Sequence, residues 1–144
     1  MALNVTPEQL QISLPADKTK VFGVLMDWDF GDRIATFVSF SNGEASMYLS
    51  TGGGVIGAGE YKNVSKVAKA FVEMAQKKFD KVTKIDSTPL PDKSCVRFYF
   101  MTNKGKFTAQ EDLKNFNNKS SIWLPLFEEG NKLILELKSI QEKK

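Results

Sequence analysis

The stretch from Ile34 to Ser50, IATFVSFSNGEASMYLS, decides how this chain folds. Ile34 to Ser41 is rich in β-branched and aromatic residues, and Ala45 to Ser50 alternates apolar with polar side chains. That period of two belongs to strands with one buried face. Between the two runs stands Asn42-Gly43, the strongest short-range hairpin signal, because a type I′ turn needs positive φ at both central residues. Upstream, Lys20 to Asp29 (KVFGVLMDWD) is apolar on both alternations, with Val21 and Leu25 on one side and Phe22, Val24, Met26 and Trp28 on the other. This predicts a strand covered on both faces. Asp29-Phe30-Gly31-Asp32 has turn chemistry, so the three strands form a meander.

Outward from this meander, the pattern changes to helical. Val64, Val67, Ala68, Phe71, Met74, Ala75, Phe79 and Val82 form one stripe at 3.6 spacing, which predicts a helix capped by Asn63 and running to about Val82. Asp86 to Lys93 has two prolines and no periodicity, and reads as a loop. Ser94 to Thr102 and Lys106 to Gln110 read as a strand pair around Asn103-Lys104-Gly105, and Asp112 to Ser120 as a frayed helix or loop. In the last segment Leu133, Leu135 and Leu137 alternate as in a strand. However, Trp123, Leu126, Phe127, Gly130, Leu133, Ile134, Leu137 and Ile140 make a helical stripe over 18 residues. The longer match predicts a helix, with Pro125 in its first turn where proline costs little and Gly130 on the buried stripe in close approach to a neighbouring backbone. A short helix is expected at the start, where Thr6-Pro7-Glu8-Gln9 has capping chemistry, ended by Pro15.

The fold class expected is therefore α+β in a single domain over 1–144. It has an antiparallel sheet of about five strands, in the order α-β-β-β-α-β-β-α, backed by two amphipathic helices. A chain of 144 residues can bury roughly 68–70% of its unfolded surface, enough for a core without staples.

Composition narrows the chemistry. The chain has no histidine and one cysteine, Cys95. This removes Ser-His and Cys-His nucleophile pairs, histidine acid–base chemistry, an internal disulfide and the usual protein zinc sites. No cofactor is implied. The first residues lack the pattern of a signal peptide and no apolar run reaches the length of a membrane span, so a cytoplasmic protein without membrane contact is expected. Charge is uneven: residues 1–61 carry three basic groups against seven acidic, and the remainder 17 against 10.

Three clusters invite functional readings. Gly52, Gly53, Gly54, Gly57 and Gly59 lie between a strand and a helix, the context of a backbone cradle for phosphate, with Lys62, Ser65 and Lys66 placed to meet an anion. The Lys and Ser/Thr of a P-loop are replaced by Glu60-Tyr61, and a close-packed crossover explains the same glycines. Asp27, Asp29 and Asp32 could hold Mg²⁺ or Ca²⁺ through oxygen ligands. They also suit a solvated turn neutralised by Arg33. From 62 to 84, seven lysines face Glu73 and Asp80, a basic helix surface of the kind that keeps helices soluble or docks acidic partners. Arg97-Phe98-Tyr99-Phe100 lacks the glycines of an RNA-stacking strand, and nucleic acid is not an expected partner. No reaction emerges from these residues. The expectation is a non-enzymatic binding, adaptor or regulatory protein acting through its sheet or helix surfaces as a homodimer, with Val21, Leu25, Thr36, Val38, Phe98 and Phe100 facing the partner. The alternatives are a small-molecule or phosphate-ligand module using the glycine-rich loop 52–59 and a carboxylate-metal enzyme at Asp27, Asp29 and Asp32.

Overall fold

The computed structural model describes residues 19–50, 52, 54–55 and 61–142. The short helix expected around residues 6–14 lies outside them. The chain is α+β. Three strands come first, β1 (Val21–Asp29), β2 (Ile34–Phe40) and β3 (Ala45–Leu49), followed by the two-residue β4 (Gly54–Val55). Helix α1 (Lys62–Lys77) runs on through a 3-10 turn (Phe79–Lys81) into β5 (Thr83–Lys84). The hairpin β6 (Cys95–Thr102) and β7 (Gly105–Asp112) precedes the five-residue α2 (Leu113–Asn117) and the long α3 (Leu124–Glu142). The order across the sheet is β4-β3-β2-β1-β6-β7-β5, with every adjacent pair antiparallel. The two strands beyond the expected five are the two-residue pieces at the edges, too short to show a period in the sequence.

The hairpin signal places the turn correctly but not its type. Phe40 N–H donates to Glu44 C=O and Gly43 N–H to Phe40 C=O, both at 2.9 Å. The loop is therefore three residues, Ser41-Asn42-Gly43, and Gly43 carries the positive φ of +92° while Asn42 does not. This is the turn-plus-bulge solution rather than the two-residue type I′. Gly43 is buried against α1, where a methyl in its place would come within 2.1 Å of Ser65 Oγ.

Alternation along the strands divides the sheet into two faces. Val24, Met26, Ala35, Phe37, Met47, Val96, Phe98 and Phe100 join Phe71, Leu126, Leu133 and Leu137 in the main core beneath α1 and α3. Phe22, Leu25, Val38, Phe40, Tyr99 and Met101 form a second buried cluster on the opposite face, joined by Ile85. The central strand is thus covered on both sides, as its doubled apolar pattern requires. The loop after β5 contributes to the second face, since the Tyr99 hydroxyl donates to the Pro89 carbonyl.

This arrangement corrects the expected partner surface. Val21, Phe98 and Phe100 lie in the helix-covered core, and Leu25 and Val38 are buried on the other face, so none of the five presents apolar area to a second chain. Two local expectations also change. Tyr61, not Asn63, occupies the position before α1. Gly130 meets the side chain of Met26 rather than a backbone.

Candidate functional site

Of the glycine-rich stretch, Gly52 and Gly54 fall among the described residues and Gly53, Gly57 and Gly59 do not. Gly52 takes a φ of +106° and donates its N–H to Leu49 C=O at 2.9 Å, turning the chain back so that Gly54 pairs with Tyr48 and Val55 with Met47. These two glycines serve a tight return at the sheet edge. Lys62 and Lys66 are exposed on α1. Ser65 packs against Gly43 in the β2–β3 loop. Lys66 borders a shallow groove between α1 and α3 with Lys132, Glu129 and Glu136, where the charges are mixed, and Lys132 Nζ lies 3.1 Å from Glu129 Oε1.

Two of the three aspartates are committed to structure. Asp27 and Asp29 share the sheet face opposite the helices. Asp27 is buried; this desolvation raises its pKa above the ordinary 3.8, opposed by the hydroxyl of Thr36, which donates to its Oδ1, and by the charge of Arg97. Register sets up that environment, because Asp27 stands between Thr36 on β2 and Arg97 on β6. Asp29 is an opposite case. Its Oδ1 accepts the Gly31 N–H at 2.9 Å and its Oδ2 the Ser94 N–H at 2.8 Å, and these bonds to the charged form hold its pKa below the ordinary value. Asp32 is exposed. Among the described residues no group of three or more acidic, cysteine or histidine side chains is placed to hold a metal ion.

Cys95 is a buried thiol whose pKa is pushed up, first by burial and then by surrounding carboxylates, which disfavours the thiolate a nucleophile needs. Phe98, Tyr99 and Phe100 are all fully buried, so none offers a ring face for a base. No helix among the described residues is long and apolar enough to cross a membrane.

An apolar groove lies elsewhere, at the corner where the β1–β2 turn meets α3. Its volume is about 410 Å³, and it is lined by Trp28, Ala35, Phe37, Met47 and Leu49 from the sheet, by Phe30 and Arg33 from the β1–β2 turn, and by Asn131, Ile134, Leu135 and Lys138 from α3. Strand alternation places Trp28, Ala35, Phe37, Met47 and Leu49 on the helix-facing side. Helical spacing puts Asn131, Ile134, Leu135 and Lys138 on one stripe of α3. The turn is closed by Phe30 N–H donating to Arg33 C=O at 2.9 Å, which holds both residues at the groove.

An aromatic row runs inward from this corner. Trp28 stacks on Phe30 with ring centroids 4.7 Å apart and planes 15° apart, and its other neighbour Phe127 lies at 4.9 Å, itself stacked on Phe116 at 4.1 Å. Phe30 is nonetheless 46% exposed and Leu135 68% exposed. Neither residue stood out in the sequence as a site. The available signals were an aromatic inside a turn otherwise built of Asp and Gly, and a leucine that falls off the helical stripe between Leu133 and Leu137.

Comparison with protein-family models, curated proteins and solved structures returned no match. The geometry of the corner therefore carries the functional reading.

Proposed function

We propose that the protein is a non-enzymatic binding module whose binding surface is the groove between the β1–β2 turn and α3. One observation carries this reading: two large apolar side chains, Phe30 and Leu135, stand exposed on either side of an apolar groove of about 410 Å³. Leaving such surface in water costs free energy, roughly 25 cal/mol per Å² of apolar area, and an apolar concavity of this size falls in the range of roughly 300–1,000 Å³ typical of ligand pockets. No carboxylate, hydroxyl or thiol side chain lines the groove, so its lining offers binding area rather than an acid–base pair.

The test is titration with a neutral environment-sensitive dye such as Nile red, following dye emission and Trp28 fluorescence, on native protein and on Leu135→Lys. The expected outcome is saturable binding to the native protein, weakened at least about fivefold in the variant if that contact supplies on the order of 1 kcal/mol. Native protein that leaves the dye unperturbed, or a variant that binds it as well as the native protein, rejects the reading. Self-association is the second reading, favoured by the exposure of Leu135 itself, and it predicts a dimer in native mass spectrometry that Leu135→Lys dissociates.

A further inference from the structure

We infer that the groove takes a small amphipathic acid, an apolar body carrying one carboxylate head. This rests on the groove being the binding surface, and deepens it from the charges around it. The charged side chains at the groove are Arg33 and Lys138, and no carboxylate lines it. Both cations are exposed, and neither side chain forms a hydrogen bond or ion pair with a described residue.

The placement runs against the local charge on both elements. Arg33 is the sole basic residue from 21 to 61, a stretch that also holds Asp27, Asp29, Asp32, Glu44 and Glu60. It nevertheless sits at the groove, while Asp27 and Asp29 are turned to the opposite sheet face. On α3 the acidic residues Glu128, Glu129 and Glu136 outnumber Lys132 and Lys138 up to residue 138, yet the charged residue that α3 presents to the groove is Lys138. Asp29 and Asp32 flank the turn residues of the groove, and Glu129 and Glu136 flank its α3 residues, yet none of the four lines it.

The ligand class follows from these parts. An apolar body covers Trp28, Phe30 and Leu135, removing them from water. A single anionic head is then drawn by both the guanidinium and the ammonium of the lining, and a carboxylate matches the planar fork of Arg33. Asn131, on the same helix stripe as Lys138, adds an amide able to donate to the head. A ligand with a cationic head would meet two like charges and is disfavoured.

The test compares decanoate, decanol and decyltrimethylammonium, each below its aggregation concentration, by displacement of Nile red from the native protein at pH 7. Decanoate is expected to bind about tenfold more tightly than decanol, the sum of two exposed charge contacts worth about three- to fivefold each, with the ammonium weakest. Arg33→Gln and Lys138→Gln are each expected to remove about threefold of the preference for decanoate over decanol, and added salt is expected to shrink that preference. Equal binding of all three compounds would leave the groove as a binding surface and overturn the inference about the acid. Binding by none of them, with no dye bound either, would overturn the binding reading itself.

Discussion

Gly130 on α3 lies directly over Met26 at the centre of β1: a methyl on Gly130 would stand 2.8 Å from Met26 Cε and 2.9 Å from its Sδ. The contact sets how closely the long helix sits on the sheet, because Phe71 of α1 is also only 3.4 Å from the same point. Two effects oppose each other on substitution. Alanine gains roughly 1 kcal/mol of helix propensity over glycine, and the displaced atoms belong to the mobile end of a methionine. Gly130→Ala is therefore expected to change stability by less than about 1 kcal/mol. Gly130→Val adds two further carbons to a filled space and is expected to cost about 2 kcal/mol. Urea denaturation of the three proteins checks this, and a valine variant as stable as the native chain would show that α3 is free to lift.

Tyr99 ties the loop after β5 to the second sheet face. Its ring is fully buried between Leu25 and Thr108 in the cross-strand row, and its hydroxyl reaches over to the Pro89 carbonyl. Tyr99→Phe keeps the packing and removes that one bond. The expected cost is about 1 kcal/mol, with faster proteolysis around residues 86–93 as the more specific readout. Unchanged proteolysis would mean that the loop is held by other contacts, such as those between Gln110 and Asp92.

What was readable in the sequence follows from the range of the forces involved. Strand and helix periods are set by which residues face the core, so β1, β2, β3, β6, α1 and α3 emerge from pattern alone. The conflict at Leu133, Leu135 and Leu137 was resolved by the longer stripe, and Leu133 and Leu137 are indeed buried. Leu135, the residue that fitted the losing pattern, is the exposed one. Turn type was less legible, because Asn-Gly suits both a two-residue and a three-residue loop, and the choice depends on how Gly43 seats against Ser65. The groove was invisible for a related reason. It joins residues 28–49 to residues 131–138, and no local pattern reports where α3 stops covering the sheet. The partner surface was misplaced because an apolar strand face looks the same whether its cover comes from a helix, a loop or a second chain.

Asp27 and Asp29, two residues apart on one strand, are expected to act on stability with opposite pH dependence. Burial raises the pKa of Asp27, so the folded state binds its proton more tightly than the unfolded chain does. The stabilisation from that proton is complete below the ordinary value of 3.8 and is lost as pH rises through the raised value. Asp27→Asn, which retains an acceptor for Thr36, should therefore gain stability relative to the native protein as pH goes up from 4 to 8. For Asp29 the sign reverses. Its lowered pKa means that its contribution is present above 3.8 and lost as pH falls through the depressed value. Asp29→Ala removes the acceptor for both Gly31 and Ser94, lowering the melting temperature at pH 7 and narrowing the gap to the native protein in acid. Because Gly31 lies in the turn that carries Phe30 and Arg33, the same variant should also weaken dye binding at the groove. Thermal melts across pH with a parallel dye titration separate the two effects. A variant that melts lower yet binds the dye as the native protein does would show that the turn holds Phe30 and Arg33 in place without help from Asp29.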